Sequence, residues 1–336
     1  MKAVAYQKNS PISASRALED VELPSPVPGA RDLLVRVHAV SVNPVDAKVR
    51  AASAPAAGEV KVLGWDAVGV VEAVGAQANG FAVGDRVWYA GSIKRPGANS
   101  ELHVVDARIV SKAPKTLSDA QAAALPLTAI TAWELLFDRL RIAEGAGEAQ
   151  TLMVVGGAGG VGSILIQLAR QLTRLRVIAT ASRPESREWC LELGAHAVID
   201  HSKPLSEALR SAGIDQVDYV ASLTQTSMHY QEIIQSLKPQ GALAVIDDME
   251  GLDPGALKNK SLSLHWELMF TRSMFETPDM HEQGVLLGRV ADLVDAGRVK
   301  TTANAVFGRI NAENLIRAHA LVESGKAVGK IVLEGF

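Results

Sequence analysis

Gly157-Ala158-Gly159-Gly160-Val161-Gly162 narrows the possible folds of this chain more than any other segment. Its spacing is G-x-G-x-x-G. It follows an apolar run, Thr151 to Val155, and opens a stretch with apolar residues at Val161, Leu165, Leu168 and Leu172. The run has strand length, and the spacing after it is that of an amphipathic helix. Glycines at such a junction let the chain turn tightly and let the backbone approach a pyrophosphate. The helix N-terminus adds free N–H groups and the positive end of its dipole. A lone match also describes an ordinary glycine-rich turn. Here strand, loop and helix agree in register, which points to a dinucleotide.

The next strand, Val177 to Ala181, predicts which one. A free ribose 2′-hydroxyl usually meets an Asp or Glu near the end of that strand. This chain reads Ala179-Thr180-Ala181-Ser182-Arg183-Pro184, with no acid before Glu185. The Ser182 hydroxyl and Arg183 guanidinium suit a 2′-phosphate, so NADP(H) is the expected cofactor. The alternative is that Arg183 is a solvated loop cation. The cofactor site is expected to comprise Gly157, Ala158, Gly159, Gly160, Val161 and Gly162, then Ser182 and Arg183. Leu223, at the end of the run from Val217, completes it on this side.

Strand and helix patterns keep alternating. A helix through Trp189 and Leu193 stops at Gly194, and Ala197-Val198-Ile199 is a short strand. Ser202-Lys203-Pro204 starts a helix with Leu205, Ala208 and Leu209. Val217 to Leu223, a helix ending near Gly241, and Leu243 to Ile246 follow. Such alternation predicts a doubly wound parallel sheet over residues 127–270. Before residue 126 the texture differs. Leu33 to Val40, Ala67 to Val74, Val87 to Tyr89 and Glu101 to Val105 are short strands punctuated by turns, as in a small β-barrel-like domain. After a helix over Val285 to Val294, a polar linker and a helix over Leu315 to Val322, the strand Gly329 to Leu333 has no βαβ partner. It is expected to return to the first domain.

A length of 336 residues fits two domains. The net charge of -3 gives no electrostatic case for nucleic acid or an anionic membrane. One cysteine, Cys190, excludes an internal disulfide. No signal-peptide pattern is present, and no apolar run reaches the roughly 20 residues that span a bilayer, so a cytoplasmic protein is expected.

Asn43-Pro44-Val45-Asp46, Leu63-Gly64-Trp65-Asp66 leading into Gly69-Val70-Val71 and Gly75, Gly84-Asp85-Arg86-Val87, and the glycine loop resemble the medium-chain dehydrogenase/reductases. The similarity covers essentially the whole chain and is closest to the quinone oxidoreductases, the zeta-crystallin group. The segments Tyr89 to Gly91 through Asn99, Leu125 to Glu134 and Trp266 to Arg272 resemble a branch labelled zinc-type alcohol dehydrogenase-like. The resemblance implies an α/β protein. Residues 1–126 and 271–336 would form a GroES-like catalytic domain, with a Rossmann domain over residues 127–270. It also implies a homodimer, and it places Thr131 near the nicotinamide.

Zinc-dependent relatives carry a Cys, a His and a second Cys as catalytic ligands. Matching the shared residues puts Asn43, Trp65 and Leu127 in those places, with Asp66 where an adjacent Glu stands. An indole and a Leu cannot ligate zinc, and an amide is a poor ligand. One cysteine cannot build the family's four-Cys structural site. No metal is expected.

Reducing a simple carbonyl requires something to hold the developing alkoxide, as zinc does. A quinone or enone delocalises the charge into a phenolate or enolate, for which a few hydrogen-bond donors suffice. The resemblance implies Asn43 as such a donor, Asp46 as its orienting group and Tyr89 as a pocket phenol able to give a proton. Asn-Pro-x-Asp is also good turn chemistry by itself. Trp65 and Tyr89 suit a core equally well. Glu101, His103 and His265 read as structural, and Cys190 as a packed thiol. The leading expectation is an NADPH-dependent reductase of quinones or other α,β-unsaturated carbonyls. Its competitors are an alcohol dehydrogenase and an NADPH-binding protein with a structural or regulatory role.

Overall fold

In the computed structural model, which describes residues 1–336, the chain divides into two units. One joins Met1–Ile130 to Phe270–Phe336, and the other is Thr131–Met269. The division falls a few residues beyond the change of texture near residue 126, because one helix, Pro126–Trp133, runs through it.

Strand Asp32–Val42 organises the first unit. Leu33, Val35 and Val37 are buried and Arg36 is exposed, the alternation of a strand with one face in a core. It pairs antiparallel with Ala67–Val74, Leu102–Asp106 and Lys330–Glu334. The last strand does return to this unit, with Ile331 opposite Val42. That register brings Lys330 beside Asn43. Strand Ala303–Val306, parallel to the last strand, lies in the segment read as a polar linker. Only its alternate residues are half-buried, so it carries no apolar run to find.

Helix Pro44–Ala52 was also not expected. Asn-Pro-x-Asp read as a turn is in fact a helix start: Asn43 is the N-cap, Pro44 is the first helical residue and Asp46 lies in the first turn. Asp119–Arg139 is the stretch that bears on the membrane reading. This helical stretch of 21 residues is long and apolar enough to cross a membrane by length and composition. Of its most apolar 18 residues 89% are buried within the protein, where an apolar core helix belongs.

The second unit is a six-stranded parallel sheet. Its strand order is Ala197–Ile199, Arg176–Thr180, Thr151–Val155, Val217–Ser222, Leu237–Val245, Ser263–Trp266. All five residues of Thr151–Val155 are buried, as a strand covered on both faces requires. The chain runs outward from this strand in both directions, so its carboxyl end is the topological switch point where such sheets bind ligands. Helix Gly160–Leu172 follows there and buries Leu165 and Leu168. One boundary departs from expectation. Helix Thr226–Ser236 ends well before Gly241, because Leu237 already pairs with Val217. Gln240, at φ +67°, then shifts the register before Ala242 meets Tyr219.

Candidate active site

Asp46 ties two loops of the first unit together. One carboxylate oxygen accepts the Asn43 backbone N–H at 2.7 Å and the other accepts the Gly64 N–H at 2.9 Å. Burial pushes its carboxyl up to about 7, against the lowering effect of those two donors and of Lys330. Asp66 is fully buried and gathers four donors. Its Oδ2 accepts from Ser41 Oγ at 2.7 Å, Asn43 Nδ2 at 2.8 Å and Lys330 Nζ at 3.1 Å. Its Oδ1 accepts the Leu127 N–H at 2.7 Å. Lys330 also donates to the Val42 carbonyl at 3.0 Å and to Asn43 Oδ1. Its ammonium hydrogens are therefore matched by three acceptors, which is what a cation 3% exposed requires. The structure thus brings Asn43 and Asp46 together as expected from the loop, and adds Asp66 and Lys330 as their partners.

Tyr89 stands apart from this nest. Its hydroxyl meets His103 Nδ1 at 3.0 Å, while His103 Nε2 meets the Pro96 carbonyl at 2.9 Å. A carbonyl only accepts, so Nε2 carries the ring proton and Tyr89 donates to Nδ1. The two rings stack at 5.5 Å. Burial raises the Tyr89 pKa well above that of an ordinary phenol. The same burial lowers His103 to about 4. A phenol so held is a poor acid, and the geometry favours Tyr89 as a core aromatic over a proton donor.

The family's zinc positions hold no donor set for that metal. The Trp65 indole N–H donates to the Ser92 carbonyl at 3.1 Å, and its ring packs edge-on against Phe270. Leu127 offers its backbone N–H to Asp66. Asn43 has both ends of its amide engaged, one by an ammonium. No group of three His, Cys, Asp or Glu side chains is placed to hold a metal ion. These residues do not fit zinc.

In the second unit the glycines divide the work the motif assigns them. A Cβ at Gly157 would lie 2.7 Å from Ala179 Cβ and 3.1 Å from Cys190 Sγ, so the loop packs directly on the neighbouring strand and helix. At Gly162 it would lie 2.5 and 2.6 Å from the carbonyl oxygens of Gly157 and Gly156, which brings the helix hard against the loop. At Gly159 only the Gly156 carbonyl oxygen comes near, at 3.5 Å. The backbone is therefore bare on the side a pyrophosphate approaches, and Gly160 and Val161 open the helix. These residues fit a dinucleotide. Cys190 is the packed thiol expected, its pKa pushed up to about 12 by burial.

The second strand ends at Thr180, one residue earlier than read from the sequence, and Ala181 after it brings no acid. Ser182 is exposed, and Arg183, the N-cap of helix Pro184–Glu192, is half-exposed beside Glu185 at 3.4 Å. Leu223 is half-buried, its N–H on the Val155 carbonyl at 3.2 Å. Thr131 is buried on helix Pro126–Trp133. Sequence reasoning missed Thr180, whose hydroxyl accepts the Gly156 N–H at 3.1 Å and reaches His201 at 2.9 Å. It also missed Lys330, for which a charge inside an apolar strand was the available signal.

Residues 29–115 match the alcohol dehydrogenase GroES-like domain, and residues 193–333 match the zinc-binding dehydrogenase family. A zinc-type alcohol dehydrogenase-like protein of Staphylococcus aureus is 38% identical over 99% of both chains. A Rhizobium etli protein described as a candidate zinc-dependent alcohol dehydrogenase is 55% identical. It covers 100% of this chain and 98% of its own, with a TM-score of 0.97. A mycobacterial protein solved with NADPH is 27% identical over 99% of both chains, with a TM-score of 0.84. Whole-length identity, the two family matches and the paired architecture agree: the chain belongs to the medium-chain dehydrogenase/reductase superfamily of oxidoreductases, among the zinc-type alcohol dehydrogenase-like proteins.

Proposed function

We propose that this protein is an NADPH-dependent reductase of quinones or other α,β-unsaturated carbonyl compounds that works without zinc. The observation that carries this reading is the buried nest. Where metal-dependent relatives place their ligands, this chain has an amide held by Asp66 and Lys330, an indole committed to a carbonyl, and a leucine. Such a nest offers hydrogen-bond donors and no Lewis acid. That suits a substrate whose negative charge spreads over an enolate or phenolate. Bound NADPH supplies the hydride. Asn43 receives the substrate oxygen on an amide N–H, and Asp46 holds the Asn43 loop against the Gly64 loop. A proton from water completes the reduction.

The test is steady-state NADPH oxidation with a panel of quinones, enones, simple ketones and alcohols, beside elemental analysis. Quinones or enones are expected to turn over, simple alcohols to react poorly, and chelators to leave the rate unchanged. Near-stoichiometric zinc whose removal abolishes activity would sink the reading. Within the active panel, Asn43→Ala is expected to lower kcat/KM about 10²-fold through loss of one donor to the oxyanion. An unchanged kcat/KM assigns Asn43 to the helix cap alone.

The preference for NADPH rests on Ser182 and Arg183. A charge-assisted hydrogen bond is worth roughly 1.5–3 kcal/mol, which corresponds to a preference over NADH of about 10- to 10²-fold. Glu185 competes for the same guanidinium, which points to the lower end. Arg183→Ala is expected to weaken NADPH, to leave NADH nearly untouched, and to make the remaining preference less salt-sensitive. Fluorescence titration of both cofactors decides it. Equal affinities in the wild type, or joint loss in the variant, overturn the assignment.

A further inference from the structure

We propose that Lys330 is a positioning residue for this reaction: its ammonium orients and polarises the Asn43 amide, so that the protein's own cation supports the oxyanion site. The inference rests on the reduction reading above. Its starting point is the chemistry of the two ends of one amide. Asn43 Oδ1 faces Lys330 Nζ, and Asn43 Nδ2 faces Asp66 Oδ2 at 2.8 Å. An ammonium can only donate and an ionised carboxylate can only accept. Turning the amide over would set –NH₂ against –NH₃⁺ and a carbonyl oxygen against a carboxylate. Only one orientation is possible, and it commits the amide to presenting N–H rather than C=O beyond Asp66.

Polarisation follows from the same geometry. A cation on the carbonyl oxygen of an amide draws electron density from its nitrogen and makes the N–H a stronger donor. In a buried network such effects add along the chain of hydrogen bonds. Charge matters as well. Asp66 and Asp46 both lie in this nest, and Lys330 is the cation that touches Asp66. Without it, a negative charge developing on the substrate faces the buried Asp66 carboxylate with no cation to offset it. The placement is specific. Lys330 precedes the apolar run Ile331-Val332-Leu333 at the start of strand Lys330–Glu334, opposite the end of Asp32–Val42, and spends its three donors on Val42, Asn43 and Asp66.

The decisive experiment is a double-mutant cycle between Lys330→Met and Asn43→Ala, read on kcat with the best quinone or enone at saturating NADPH. Lys330→Met leaves Asp66 with three donors, from Ser41, Asn43 and Leu127, so a folded protein is expected. Lys330→Met alone is expected to lower kcat about tenfold, with the NADPH dissociation constant unchanged. Lys330→Arg, which keeps the charge, should restore most of the loss. In the Asn43→Ala background the Lys330 substitution should cost almost nothing further. Equal losses in both backgrounds, or wild-type kcat in Lys330→Met, overturn the proposal. Should Lys330→Met not fold, Lys330→Gln replaces it, with the same outcomes deciding.

A second readout needs no turnover. With asparagine side chains labelled with nitrogen-15, and Asn43→Ala supplying the assignment, the Asn43 amide pair should be shifted downfield and slow to exchange. Both properties should persist in Lys330→Arg and be lost in Lys330→Met. If no quinone or enone is reduced, the reduction reading fails while this measurement still decides what Lys330 does to Asn43. An Asn43 signal indifferent to Lys330 removes the proposal whatever the substrate.

Discussion

Asp66→Ala is expected to destabilise the protein by about 3–5 kcal/mol, the penalty for breaking a buried ion pair from one side. Asp66 is fully buried and its partner Lys330 is 3% exposed, so the abandoned ammonium cannot turn to water. The substitution also strands Ser41 Oγ, one end of the Asn43 amide and the Leu127 N–H, each of which donates to this carboxylate. A buried donor left without an acceptor adds roughly 1–3 kcal/mol in its own right, so the upper part of the range is the better expectation. Urea denaturation followed by near-UV circular dichroism measures it. The control is Asp66→Leu combined with Lys330→Met, which removes both charges and should recover part of the loss. A cost below about 1 kcal/mol for Asp66→Ala would mean that water reaches Lys330, and the nest would then be a solvated loop.

What the sequence made legible was local. Ala67–Val74 and Ala197–Ile199 coincide with the strands read from apolar runs, and helix Gly160–Leu172 differs by one residue at its start. These elements depend on side chains a few positions apart, the range over which periodicity carries information. The glycine loop was legible for the same reason, since each glycine answers to a neighbour within the same strand-turn-helix unit or the strand beside it. Asn43 and Asp46 were paired by the family resemblance, and their contact spans only three residues. Their surroundings were not legible. Lys330 reaches Asp66 across 264 positions, and no spacing rule links a terminal strand to a loop so distant. His103 read as a structural residue, but its bond to Tyr89 depends on how strands Leu102–Asp106 and Arg86–Tyr89 are brought together in the sheet. Helix Pro44–Ala52 was hidden for a different reason: Asn-Pro opens turns and helices alike, and the choice between them was made by burial of Asp46 and Arg50.

His319 on helix Ala312–Glu323 sets the second large expectation, which concerns acid stability. The imidazole is fully buried and neither ring nitrogen has a hydrogen-bond partner. Burial, and then the nearby Arg50 guanidinium, lower its pKa from 6.5 to about 3. Below pH 6.5 the unfolded chain takes up a proton that the folded chain refuses until about pH 3. Stability is therefore lost across that window at about 1.4 kcal/mol per pH unit. His103, lowered to about 4, acts in the same direction. Asp46 opposes both: with its carboxyl raised to about 7, the folded state holds that proton more tightly and gains stability as pH falls from 7 towards 3.8. The wild-type profile mixes these contributions, and substitution separates them. His319→Leu puts an apolar side chain of similar bulk in place of the imidazole and removes one titration. Relative to wild type, it is expected to gain about 2 kcal/mol between pH 8 and pH 5, and to be no less stable at pH 8, where it removes two unsatisfied ring nitrogens. Parallel urea titrations at the two pH values measure the difference directly. A gap between variant and wild type that stays constant from pH 8 to pH 5 would show that His319 takes up its proton in the folded state as readily as in water.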